Sequence, residues 1–396
     1  MLDQVLNDLW VFFQLVIGYN LVLPLALYFI YLLRRTPGFV TKQEGPVHDY
    51  AVIVTAYEQT DSLPLVVESI LKLNYTNYLV YIVADKCDVS GLSFNSDRVV
   101  VLRPPETLAS NTRSHFYAIR NFKRPHDMLI IIDSDNLVDP ECLNELNKSI
   151  DAGFVAVQGL REAKNLDTTY ACLDASRDIY YHFYDGEVLF NVGSSATLSG
   201  SGMAFTTSLY RECLESQDIT GAGFDKVLQK EILSRGRRIA FNGKAIVYDE
   251  KTSRSDQLVK QRARWINTWF RYFKFGFHLI GQGLMNFDIN RLLFGFILLR
   301  PPLFIMLGLS MAFMFVDIWV SHAALLVWAC AFACFVVGFV IAIVHARPDR
   351  RIVRSLVSIP KFVFFQVLAL LQVKKANKIS VATTHYSSKT IKDVKE

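Results

Sequence analysis

Cysteine is scarce and unpaired in this chain: six residues in 396, with no Cys-x-x-Cys. That excludes a disulfide framework and a cysteine-built zinc site, and it places the soluble part in a reducing compartment. Cys330 and Cys334 fall inside an apolar run, where a free thiol behaves as a small hydrophobe. No glycine-rich loop follows the first strand, which argues against a dinucleotide-binding fold and a P-loop. Charge is also thin. Only 20% of residues are charged, the net charge is +5, and the Lys and Arg lie beside apolar runs. They form no nucleic-acid patch, and no nucleic-acid partner is expected.

What the chain has in excess is apolar sequence, 52% of residues, concentrated at its two ends. Trp10 to Leu33 carries no charge and is long enough to cross a bilayer. It is too long for a signal-peptide core. Asp3 and Asp8 precede it and Arg34 and Arg35 follow, so the positive-inside rule puts the following domain in the cytoplasm. Leu292 to Val316, broken by Arg300-Pro301-Pro302, reads as a second span, and His322 to Val344 as a third. His345, Arg347, Arg350, Arg351 and Arg354 then mark a cytoplasmic loop. If Leu356 to Val373 crossed, Lys374, Lys375 and Lys378 would lie outside, against the charge rule. An interfacial or re-entrant helix is expected there, with the tail cytoplasmic. The expected layout is therefore an anchor at 1-35, a cytoplasmic α/β domain at 48-250 and amphipathic interfacial helices at 251-290. Two transmembrane helices at 291-345 and a cytoplasmic or interfacial segment at 346-396 complete it.

From Tyr50 onward, short apolar strands alternate with amphipathic helices, the pattern of a mostly parallel α/β sheet. Ala51 to Val54 ends at Thr55-Ala56-Tyr57-Glu58, and Tyr78 to Val83 ends at Asp85-Lys86-Cys87-Asp88. The strand around Ile130 ends at Asp133-Ser134-Asp135. Ligands bind beyond the carboxyl ends of such strands, so these acidic tips are expected to share one crevice. Two carboxylates at a strand end suit a hard cation, Mg²⁺ or Mn²⁺, whose shell a nucleotide's phosphates complete. The bland alternative is a solvated turn, which Asp-Ser-Asp-Asn also favours. Further on, Phe154 to Gln158 and Ala196 to Phe205 read as strands, the latter containing Gly200-Ser201-Gly202. Asp225 opens a helix from Lys226 to Arg235, either as an N-cap or as a functional carboxylate. In Gln261-Arg262-Ala263-Arg264-Trp265, helical spacing puts Gln261, Arg264 and Trp265 on one face. A guanidinium, an amide and an indole there suit an anionic leaving group beside a stacking surface. The alternative is a basic amphipathic helix on the membrane, since Trp269, Phe270 and Phe273 interleave with Arg271 and Lys274.

These residues resemble the membrane-integrated family 2 glycosyltransferases, the group of cellulose, hyaluronan and chitin synthases and bacterial exopolysaccharide enzymes. The resemblance runs from Tyr50 to Trp265 and takes in the surrounding spans. It implies a GT-A-type nucleotide-sugar-binding domain. Ala56, Tyr57 and Glu58 resemble the nucleotide-contacting end of the first strand, and Asp85 the acid that contacts base or ribose. Asp133-Ser134-Asp135 is similar to the metal-binding D-x-D, and Gly200-Ser201-Gly202-Met203 to the loop lining the acceptor. Gln261, Arg264 and Trp265 fit Q-x-x-R-W in full. Two departures stand out. Gly223-Phe224-Asp225 occupies the place of a Thr-Glu-Asp, and Arg113-Ser114-His115 that of a Gly-Lys pair.

The resemblance implies inverting transfer from a nucleotide-sugar, with UDP-sugar the expected donor, to a growing polysaccharide or oligosaccharide. Asp225 would be the base, Arg264 would bind the diphosphate along with Asp133, and Asp135 and Asp133 would hold Mg²⁺ or Mn²⁺. Trp265 would line the acceptor. A saccharide or lipid-linked acceptor, the bilayer and proteins of an export system are the implied partners, at the inner (plasma) membrane. Two other outcomes remain open: single-sugar transfer to a lipid such as a polyprenyl phosphate, and an inactive membrane scaffold.

Overall fold

A computed structural model describes residues 2–34, 47–376 and 388–395. Arg35 and Lys378, on which part of the expected topology rests, lie outside the described residues. Eight strands form one mixed sheet. They are β1 (Tyr50–Tyr57), β2 (Tyr78–Asp85), β3 (Val99–Leu102), β4 (Met128–Asp133), β5 (Leu137–Val138), β6 (Ala156–Ala163), β7 (Met203–Thr206) and β8 (Ala240–Asp249). Their order is β3-β2-β1-β4-β7-β6-β8-β5. The β1–β2, β2–β3, β1–β4 and β6–β8 pairs are parallel, whereas β7 runs antiparallel to both neighbours and β5 to β8. Val52, Ile53, Val54, Ile130, Ile131 and Ile132 are each no more than 1% exposed, as two-sided burial of a parallel sheet requires.

The register fixes the site. Tyr57 of β1 stands opposite Asp85 of β2, and Thr55 opposite Asp133 of β4, so the three carboxyl ends finish side by side. A crevice opens beyond the β1 and β4 ends, and no residue of β2 lines it.

Four helices are long and apolar enough to cross a membrane: Gln4–Leu33, Leu303–Val320, His322–Ala346 and Arg350–Leu371. The run expected from Leu292 to Val316 is two helices, Ile289–Leu299 and Leu303–Val320, because Pro301 and Pro302 cannot continue the backbone ladder. The apolar bundle and the sheet domain share a core. Tyr184 Oη donates to the Gly338 carbonyl at 2.8 Å, and Arg34 donates to the Val192 carbonyl. At the other end, Ile391 of the helix Ile391–Lys395 is buried against Leu137 and Tyr248, and Lys395 pairs with Asp139 at 2.8 Å.

Two local expectations are corrected. The stretch from Ala196 to Gly202 is not strand, and only Met203–Thr206 pairs in the sheet. Gly200 and Gly202 have φ of +92° and +65°, which breaks any ladder ahead of Met203. The helix after Gly223 is Phe224–Ser234, with Gly223 itself at the N-cap at φ +107°, so Asp225 lies inside the first turn and is not the cap. The helix Thr169–Tyr181 runs on into a π-helix over His182–Val188.

Gly202 is the tightest of these turns: an added Cβ would meet Val247 Cγ2 at 2.8 Å. Gly202→Ala is expected to destabilise by about 1–3 kcal/mol, from positive φ plus overpacking. Adding Val247→Ala should recover only the packing part, which thermal denaturation of the two variants would resolve.

Candidate active site

Beyond the strand ends opens a cavity of about 1010 Å³. Its lining joins Thr55 and Tyr57 from β1, Asp133 at the end of β4 with Ser134 and Asp135 in the turn after it, Gly200, Asp225, and Gln261, Arg264 and Trp265. Residues far apart in sequence therefore meet in one place. Gln261, Arg264 and Trp265 do share the face expected of them, along the helix Ser255–Tyr272.

Other expected site residues do not line the cavity. Asp85 is 2% exposed, and its carboxylate accepts the backbone N–H groups of Leu108 at 2.9 Å and Ala109 at 2.7 Å. It braces the loop after β3 and is absent from the cavity lining. Ala56 is buried. Glu58, at φ +61°, accepts from Lys86 at 2.7 Å, and that hydrogen bond holds its carboxyl below the usual range. Of Gly200-Ser201-Gly202-Met203, only Gly200 lines the cavity. Met203 is buried in the sheet opposite Ile131. Ser201 works from behind the cavity wall. Its Oγ accepts the Asp133 N–H at 3.1 Å and the Asn136 side-chain amide at 2.8 Å. One buried hydroxyl thus fixes both ends of the Asp-Ser-Asp turn. Arg113 does not face the cavity and is paired with Asp218 at 2.7 Å.

Electrostatics single out Asp133. Burial first, then the neighbouring Asp135, push its pKa up to about 7, with Asp249 and Asp225 adding and Arg161 opposing. Repulsion between carboxylates that close is what a bound cation relieves. Among the described residues no group of three His, Cys, Asp or Glu assembles a closed metal cage. Two carboxylates with phosphates to complete the shell are what a Mg²⁺- or Mn²⁺-type ion takes, so the donor set fits such a cation. Asp225 carries Lys226 Nζ 3.3 Å from its Oδ2. Burial lowers the pKa of Arg264.

Sequence reasoning missed the cavity floor. Arg161 pairs with Asp249, Lys251 with both Asp249 and Asp178, Arg177 with Asp178 and Asp174, and Arg262 with Asp174. Arg300, where the cavity meets the apolar helices, pairs with Asp185 of the π-helix. Arg262 was only an unspecified position in the Q-x-x-R-W pattern, yet it is 2% exposed. Burial and then Arg177 lower its pKa to about 10. The guanidinium groups of Arg262 and Arg177 lie 4.2 and 4.3 Å from the Trp265 ring centroid, so cations already occupy the ring expected to stack on sugar.

Residues 47–268 match the family described as Glycosyltransferase like family 2. The chain belongs to this family. It is a nucleotide-sugar glycosyltransferase by membership, and its fold is GT-A-like. Among solved structures, the chain is similar to the mannosyltransferase PcManGT from Pyrobaculum calidifontis, in complex with GDP-Man and Mn²⁺. That match has a TM-score of 0.52 at 13% identity, over 90% of this chain and 98% of the other. S. aureus TarS matches with a TM-score of 0.39 at 16% identity, over 59% of this chain and 40% of that one. No curated protein sequence matches the chain.

For this glycosyltransferase the buried Asp174–Arg262 pair offers a structural test. Asp174→Ala strands a buried guanidinium and should cost about 3–5 kcal/mol, whereas replacing both partners with apolar residues should cost far less. Urea denaturation of the single and double variants would show the difference.

Proposed function

We propose that this glycosyltransferase catalyses inverting transfer of a hexosyl or N-acetylhexosaminyl unit from a nucleotide-sugar to a saccharide at the membrane surface. The carrying observation is that the β1 and β4 ends, Asp225 and the Gln261-to-Trp265 face line one cavity. Thr55 and Tyr57 would flank the nucleotide. Asp133 and Asp135 would hold a divalent cation, which supplies positive charge against the diphosphate. Arg264 donates N–H bonds to the leaving diphosphate, where negative charge grows. Asp225 takes the proton of the acceptor hydroxyl as its oxygen bonds to the anomeric carbon. One displacement inverts the configuration and needs one base, so no second carboxylate acts as nucleophile. Gly200 sits on the acceptor side, while Ser201 and Asp85 position the strand ends without touching substrate. A growing polysaccharide is the acceptor that the cellulose-synthase-like resemblance suggests, with export through partner proteins.

The orientation we propose puts the domain of residues 48-250 in the cytoplasm of a multi-pass inner-membrane protein. The packing of Ile391 on Leu137 and Tyr248 supports placing the tail on the same face as that domain. An even number of crossings between them then leaves Arg350–Leu371 as an interfacial helix. Its packing of Ala369 and Val363 against Val259, Ala263 and Ile266 agrees.

Three outcomes test these assignments. Asp225→Asn is expected to lower turnover by about two to four powers of ten with nucleotide affinity nearly unchanged. Because Gly223 is the cap, the lost first-turn charge should cost stability by only about 0.3–1 kcal/mol. Near-normal transfer by the purified variant would remove the base.

Asp135→Ala should abolish Mn²⁺-dependent binding of a nucleoside diphosphate in calorimetry. In the wild type, an Asp133 proton bound up to about pH 7 must leave before the carboxylate can ligate. Mn²⁺ affinity should therefore rise with pH towards 7, by at most about one decade per pH unit, and level off above it.

An impermeant thiol reagent should leave a Lys389→Cys variant unlabelled in intact cells. Labelling would make the Arg350–Leu371 helix a crossing.

A further inference from the structure

The two stretches where the chain departs from the family pattern, Arg113-Ser114-His115 and Gly223-Phe224-Asp225, are in contact. Phe224 opens the helix that carries Asp225, is 5% exposed and lines the cavity. His115, on the helix Asn111–Arg120, is fully buried. Its ring meets the Phe224 ring edge to face, with centroids 5.1 Å apart and planes at 68°. Such a pair has a preferred geometry, so it holds a ring in angle as well as in depth. His115 is itself fixed from behind, where its Nδ1 and Tyr210 Oη share a hydrogen bond of 2.6 Å. Burial pushes its pKa down to about 3, so the ring stays uncharged.

The same helix holds the segment that leads to Asp225. Ser110 Oγ, at its N-cap, donates to the Ile219 carbonyl at 2.7 Å, and Arg113 donates twice to Asp218. That ion pair is solvent-exposed and holds weakly, so the buried ring contact carries most of the restraint. From the opposite side the Gln261-to-Trp265 helix leaves no room: a Cβ on Gly223 would lie 2.4 Å from Tyr272 Cε2. The approach to Asp225 is thus gripped between two helices, and Phe224 is the side chain that meets the first. A shift of its ring moves the backbone from which the Asp225 carboxylate hangs. Small misplacements of a reacting group are costly in rate.

We infer that His115 is a positioning residue for the base: through the Phe224 ring it sets the direction in which the Asp225 carboxylate meets the acceptor hydroxyl. This deepens the proposed reaction and rests on it. His115 touches no substrate and exchanges no proton. The two departures from the family pattern are then one device, an aromatic support under the base.

The test measures transfer from labelled UDP- and GDP-sugars in membranes that hold the full chain, and UDP and GDP binding with Mn²⁺ by calorimetry. Phe224→Leu and His115→Leu should each lower turnover by about ten- to a hundredfold. Nucleotide affinity should stay within twofold, which shows that the variants are folded. Because both changes break one contact, the double variant should be no slower than the slower single. His115→Phe, which keeps a ring against Phe224, should recover most of what His115→Leu loses, with the pH profile unmoved. In an Asp225→Asn background, Phe224→Leu should slow transfer no further, since no base is left to misplace. A purely structural role predicts losses that multiply in that background and weaker nucleotide binding, and either result overturns the inference. So does wild-type turnover in His115→Leu, or an altered pH profile in His115→Phe, which would make the ring a proton carrier. Near-normal transfer by Asp225→Asn removes the base and this inference with it. An inactive Asp225→Asn beside a normal Phe224→Leu removes the inference alone.

Discussion

Everything around the cavity depends on a chain of buried opposite charges that ties the sheet to the Gln261-to-Trp265 helix. It runs from Arg161 on β6 through Asp249 at the end of β8 and Lys251 just after it to Asp178, Arg177 and Asp174 on the helix Thr169–Tyr181, and ends at Arg262. Burial alone would neutralise these groups. Instead Asp178 and Asp249 are held below the ordinary carboxylate range, burial being outweighed by Arg177 and Lys251 for the first and by Arg161 and Lys251 for the second. Lys251 is held above its ordinary value because Asp178 and Asp249 outweigh burial. Such pairs add little net stability over an apolar filling, but they tolerate few arrangements. We read them as what fixes the angle of the helix that presents Arg264, and so the distance of that guanidinium from the strand ends.

The strand ends themselves were legible because their signal is local. An apolar run of period-free residues followed by acids identifies β1, β2 and β4 without knowledge of any contact. Parallel pairing then brings Tyr57, Asp85 and Asp133 together through register alone. The Q-x-x-R-W face was legible for the same reason, since helix geometry is fixed over five residues. The floor was not. Asp174, Asp178, Asp185 and Arg161 stand singly in sequence, and nothing local distinguishes a buried paired Asp from a solvated one. The π-helical turn at His182–Val188 is equally silent, although it turns His182 and Asp185 into the cavity.

Elsewhere the local pattern could not decide. Gly200-Ser201-Gly202 sat inside what read as a continuous strand, because alternating small and apolar residues satisfy a strand pattern as well as a loop. Two positive φ angles decide against it. The consequence is functional in kind: a loop lets Ser201 turn inward and receive the Asp133 N–H, which a regular strand would have spent on its ladder. Asp85 was read as a ligand-contacting acid for its position at a strand end. The structure spends both of its oxygens on backbone donors, which shows that an acidic strand tip can as well hold a loop as hold a nucleotide.

The break at Arg300-Pro301-Pro302 links the two halves of the molecule. Two prolines stop the ladder at the edge of the apolar bundle, just where the Arg300 side chain lines the cavity. Asp185, supplied by the π-helix of the soluble domain, meets that cation. An ion pair that crosses the boundary between the domain and the bundle ties the two together where the cavity changes from polar to apolar. Because neither partner can leave without stranding the other, the junction is held in register with the sheet, and a molecule bound in the cavity touches both halves at once.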